Sequence, residues 1–96
     1  MTTVPKPKIS FKRESPTHYV LQYVKWKGGK VDVTDAASIF RGKIQDKSKA
    51  KRSAKVLVKD GCLTVVSGDI HAITLKGLEV LQYFVRTKSP RKEDRD

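Results

Sequence analysis

Residues 46–66 read DKSKAKRSAKVLVKDGCLTVV, and the order of residues in this stretch decides the fold. Its first fourteen positions hold six cations, Lys47, Lys49, Lys51, Arg52, Lys55 and Lys59, with no acid between Lys47 and Lys59. Ala50, Ala54, Leu57 and Val58 fall at i, i+4, i+7 and i+8, which is one side of a helix. The spacing predicts a helix over about 48–59. Ser48, Arg52, Lys55 and Lys59 then occupy the opposite side, flanked by Lys49 and Lys51. A solvated helix face normally intersperses acids with bases. A face of one sign suits an anionic partner instead. Asp60-Gly61 stops the helix. CLTVV is strand-like, SGD is a turn and IHAIT is a second strand, so a β-hairpin follows.

Working outward, SPTHYVLQYVKWKGG supplies another helix, about 16–27. Ser15 is a good N-cap, Pro16 suits the first helical position, and Gly28-Gly29 ends it. Tyr19, Val20, Tyr23 and Val24 recur at helical spacing, and Trp26 is expected to pack with Tyr19 and Tyr23 in the core; a base-stacking platform is the alternative. KVDV reads as one short strand. TDAASIF reads as a short helix capped by Thr34, with Asp35 at its positive end. RGKIQDKS is a connecting turn. TLKGLEVLQYFVRT is the last helix, capped by Thr74, with Leu75, Leu78, Leu81 and Val85 in one stripe. Val80, Tyr83 and Phe84 point elsewhere on that helix. They pack against the first helix or the N-terminal segment, or they form a homodimer or partner surface.

The chain has 96 residues, which fits one small domain over 15–87. Residues 1–14 contain Pro5 and Pro7 and read as a flexible, extended basic arm. Residues 88–96 are a charged tail of mixed sign, expected to be disordered. The formal net charge is +11, from 21 Lys or Arg against 10 Asp or Glu. Such a field attracts polyphosphate and displaces its counterions.

Helix, short strand, helix, helix, hairpin, helix is the resulting order. With LVKDGCLTVV, a turn and IHAITLKGLEVL, the chain resembles winged helix-turn-helix proteins over about residues 16–86. Those regulators similarly end a recognition helix in Gly, continue into a hydrophobic strand and a wing, and close with Thr-x-x-Gly before a last helix. Gly61, Thr74 and Gly77 stand at those places. The resemblance implies an α+β fold with a three-helix core, a β-hairpin wing and an additional C-terminal helix. It also implies that helix 48–59 enters the major groove of double-stranded DNA, with Ser48, Lys49, Arg52 and Lys55 towards the duplex and Ala50, Ala54 and Leu57 in the core.

Lysine and arginine bind phosphate, and arginine also bonds guanine through two donors. One arginine among five lysines favours backbone binding over base reading. The expected contacts are therefore Lys47, Ser48, Lys49, Lys51, Arg52, Lys55 and Lys59. Asp69 puts a negative charge near the tip of the wing, so the basic arm, through Lys6, Lys8, Lys12 and Arg13, is the better candidate for additional contacts. An acidic protein, such as a component of the transcription machinery or nucleoid, is the alternative partner for a basic face; a small viral protein would have this form. Structured RNA is a third.

Catalysis and cofactors are not expected. The sequence has no glycine-rich phosphate loop, no paired carboxylates with a nucleophile and no Cys-His pair. His18 and His71 lack further ligands, and Cys62, the single cysteine, reads as a small buried hydrophobe, so no metal site is expected. No apolar run approaches the ~20 residues of a membrane span. The N-terminus has no apolar signal core, and the expected location is the cytoplasm, on the nucleoid, or the nucleus.

Overall fold

A computed structural model describes residues 7–40, 42–44 and 46–86. Among them the architecture is α+β, with four α-helices and a three-stranded antiparallel sheet, an arrangement compatible with a winged helix. The elements are α1 (Pro16–Trp26), β1 (Lys30–Asp32), a 3₁₀ turn (Val33–Asp35), α2 (Ala36–Ile39), α3 (Lys47–Lys59), β2 (Leu63–Ser67), β3 (Ile70–Ile73) and α4 (Leu75–Arg86).

Local chemistry sets most boundaries. Ser15 Oγ accepts the His18 amide at the start of α1, and Pro16 follows it. At the other end the Gly29 amide donates to Val24 O, with Gly28 and Gly29 both at positive φ, a conformation that costs glycine little. α3 starts at Lys47, one residue earlier than expected, and Asp46 caps it by accepting the Lys49 amide at 2.8 Å. The cap between β1 and α2 differs from expectation. Asp32, not Thr34, accepts, taking both the Thr34 amide (2.9 Å) and its hydroxyl (2.6 Å). Thr34 is thereby buried, and Asp35 makes no side-chain cap. These two donors, with Lys47 and Lys51 nearby, hold the Asp32 carboxyl below its ordinary pKa.

Sheet order is β1-β3-β2. Val31 faces His71 and Val65 faces His71 from the other side, while Leu63 pairs with Ile73. The register slips between Val65 and Ser67, a bulge just before the Gly68 turn. The core gathers Val20, Leu21 and Val24 of α1, Ala50, Ala54 and Leu57 of α3, Cys62 and Leu63, and Val80, Leu81 and Phe84 of α4. Ile44, inside the connecting turn, is also fully buried. Nothing in its local sequence announces this, because one apolar residue has no period.

Gly61, Thr74 and Gly77 meet at one point. The Thr74 amide donates to Cys62 O at 3.0 Å and its hydroxyl donates to Gly61 O. The same hydroxyl oxygen accepts the Gly77 amide, capping α4. Gly77 lies so close to Cys62 O that a Cβ would overlap it. This approach determines which side of α4 is pressed down. Gly77, Val80, Leu81 and Phe84 are buried, at i, i+3, i+4 and i+7.

One choice is resolved here and two expectations are corrected. Of the two readings of Val80, Tyr83 and Phe84, packing holds: Val80 and Phe84 are core residues and Tyr83 is half-buried. The stripe of Leu75, Leu78, Leu81 and Val85 is instead outward apart from Leu81, with Leu75 80% and Val85 74% exposed. Trp26 is likewise 66% exposed, because it sits two residues from Val24 and so on the other side of α1.

Of the basic arm, residues 1–6, and with them Lys6, lie outside the described residues, as does the tail 87–96. Residues 7–14 are docked on the domain. Ile9 and Phe11 pack on the core, and Phe11 meets Phe84 edge-on at 6.0 Å. Ser10 donates from its amide and hydroxyl to the Asp60 carboxylate, each at 2.9 Å. A carboxylate at the C-terminal end of α3 opposes the helix dipole, and the two Ser10 donors offset that cost.

Candidate nucleic-acid interface

The exposed side of α3 carries Lys47, Ser48, Lys51, Arg52, Lys55 and Lys59. Its inner side carries Ala50, Ser53, Ala54 and Leu57. Six of the seven expected contacts thus share one solvent-facing surface. Lys49 does not share it, being half-buried one turn before the buried Ser53. Lys47 stands in the first turn of α3, where positive charge is unfavourable beside the positive helix end. An anion at that surface would reverse the penalty.

The hairpin flanks this surface. Lys51 Nζ lies 3.8 Å from Asp69 Oδ2, with both side chains about half exposed. A pair this long and wet contributes little to stability. It does orient Lys51 towards the wing turn and neutralises the acid there. The Asp69 carbonyl is engaged separately, accepting the Val33 amide at 3.0 Å and contacting His71 Nδ1 at 2.9 Å. Val65 and Val66 on β2 are about half exposed beside that turn. Lys8 and Lys12 are exposed, whereas Arg13 is half-buried, its guanidinium 5.7 Å from the Phe84 ring centre.

Neither histidine joins this surface. His71 is buried in β3. His18 packs against Phe84, ring centres 4.6 Å apart, and its Nδ1 accepts the Glu14 amide at 2.8 Å. Burial, then the Arg13 charge, hold its pKa below the ordinary 6.5, partly opposed by Glu14. The folded state therefore binds this proton less readily than the unfolded chain. The stability His18 contributes is complete above about pH 6.5 and is lost as pH falls through the lower folded pKa. Native protein is expected to melt lower at pH 5.5 than at pH 7.5, and His18→Gln is expected to flatten that difference. Thermal melts of the two proteins at both pH values check this; equal pH slopes would contradict it.

Burial pushes the Cys62 thiol up to about 11, leaving it an unreactive core group. Among the described residues no cluster of three metal-ligating side chains occurs, and no helix is long and apolar enough to cross a membrane. Compared with protein-family models, with curated proteins and with solved structures, the chain finds no match.

Proposed function

We propose that this chain is a winged-helix protein that binds double-stranded DNA, laying α3 in the major groove with affinity drawn largely from phosphate. The observation that carries the reading is the single-sign surface of α3. Lys47, Lys51, Arg52, Lys55 and Lys59 are all exposed on a helix whose own residues include no acid. Lysines of this kind bind any sequence, so the role is coating or shaping DNA, or regulating transcription from a site with modest preference. A nucleoid or nuclear location follows from that role. No cofactor and no catalytic step enter it.

Arg52 is the one residue of α3 with a guanidinium fork, the geometry best suited to a paired bond with guanine. Arg52→Ala is expected to relax sequence preference by about 1–3 kcal/mol at one base pair, while Lys55→Ala weakens all sequences alike. Binding measured across a randomised duplex pool checks the contrast; identical profiles for both variants would remove base reading by Arg52.

In this reading the exposed Lys8 and Lys12 of the arm add phosphate contacts. Replacing Lys8 and Lys12 by Gln is expected to lower the salt slope of duplex binding by about 2, one for each phosphate lost. An unchanged slope would show that the arm stays off the DNA.

The alternative occupant of the α3 surface is an acidic protein. Titrating labelled protein with a short duplex at two salt concentrations separates the two. Salt-sensitive shifts on α3 support DNA, and no shifts at low salt exclude it.

A further inference from the structure

A second surface lies away from the lysines of α3. α1 packs on α3, and its buried residues are Val20, Leu21, Tyr23 and Val24. Gln22 and Lys25 project from its solvent side. There α1 and α4 enclose two adjoining concavities, of about 320 and 250 Å³, which share Lys25, Leu81 and Val85. Leu81 lies at the base of both, nearly buried; Phe84, His18 and Tyr19 adjoin it in the larger one, and Val85, 74% exposed, stands at the edge. Their rim is cationic. Arg13 and Lys25 line the larger concavity, Lys25 and Arg86 the smaller, and Glu14 is the one acid among the lining residues.

Val85 above Leu81, set between two helices, offers an apolar foothold inside a concave surface. Three cations beside it select the sign of what covers it. A second copy of this chain, at +11, would bring like charge to that rim. Nucleobases stack on open ring faces, and the rings lining the larger concavity are already packed: His18 on Phe84 and Tyr19, and Tyr19 on Phe40. The remaining fit is a segment with apolar residues on one side and carboxylates on the other, the pattern of a helix laid in a groove.

We infer that the α1–α4 groove binds an acidic amphipathic segment of a protein partner, its apolar side chains seated on Leu81 and Val85 and its carboxylates on Lys25 and Arg86. The site does not depend on what α3 binds. With DNA on α3, the chain would join a duplex to an acidic protein through two separate faces.

The test uses the full-length labelled protein. The probe is a synthetic helix of about 18 residues, with Leu at i, i+4, i+7 and i+11 and Glu at most other positions. A Lys-for-Glu version of the probe is the control. Expected are amide shifts at Gln22, Lys25, Leu81 and Val85 with the Glu probe alone. The double variant Lys25→Gln, Val85→Ser is expected to weaken binding about tenfold, while its melting temperature and its duplex titration stay native. Four results would overturn the inference: no shifts in the groove; shifts confined to α3; groove shifts that follow protein concentration without probe, which would seat a second copy there; or nuclear Overhauser contacts between the groove and residues 87–96 of the same molecule, which would seat the tail.

Discussion

Replacing Lys51, Arg52, Lys55 and Lys59 together by Gln is expected to abolish most of the affinity for duplex DNA and more than half of its salt dependence. Each phosphate neutralised on B-DNA contributes about −0.9 to the slope of log affinity against log salt, so four contacts give about −3.6. Those four contacts alone account for roughly a hundredfold loss of affinity between about 50 and 200 mM salt. The variant, keeping the contacts of Lys8, Lys12 and Lys47, should lose roughly a hundredfold less than the native chain over the same range. Its fold should survive, because all four side chains are exposed and glutamine is nearly as good a helix former as lysine. Lys51 gives up only its long pair with Asp69. Fluorescence anisotropy with a labelled duplex at several salt concentrations measures both quantities, and circular dichroism confirms the helix content. A native slope in the variant would mean that DNA binds elsewhere or not at all, and the α3 reading would fall.

Gly77→Ala is expected to be the most damaging single methyl in the domain. The new Cβ would overlap the Cys62 carbonyl and press on Ile73 Cγ1. That carbonyl already accepts the Thr74 amide, which ties the end of β3 to the start of β2. Relief requires α4 to lift, which would loosen Val80, Leu81 and Phe84 from the core. Overpacking of this kind costs roughly 3 kcal/mol. For a domain of this size that lowers the melting temperature by about 12–24 °C. Gly42→Ala is the control. Nothing lies within 4 Å of its Cβ position and its φ is not positive, so the change should stay within about 0.5 kcal/mol. Melting curves of the two variants settle the matter. Equal stability would show that α4 can shift without cost, and the close approach would lose its structural meaning.

Much of this was legible before any coordinates. The 3.6-residue period of Ala50, Ala54 and Leu57 placed α3, and the glycines at 28, 29, 61 and 68 placed its neighbours, since these signals act within a few residues. The cationic side of α3 was legible for the same reason. One helix has one inner side, and the apolar residues mark it. Lys49 was misplaced because its position falls at the margin of that side, where a half-turn decides burial.

Other features belonged to the tertiary structure alone. α4 offered two apolar stripes of similar strength, and the period could not choose between them. The choice fell to Gly77, whose missing side chain lets that face approach the Cys62 carbonyl. Trp26 looked like core by type, yet the direction of its Cα–Cβ bond beyond Val24 sends it to solvent. Phe11 and Ser10 looked like part of a free arm, but partners 73 and 50 residues away, Phe84 and Asp60, hold them on the domain. The sequence by itself determined the elements, their order and the sign of the α3 surface, because propensity, capping and charge are local. The tertiary structure decided which face of α4 is core, where the arm lies and that a second, cation-rimmed groove exists, because each depends on residues far apart in the chain coming within contact distance.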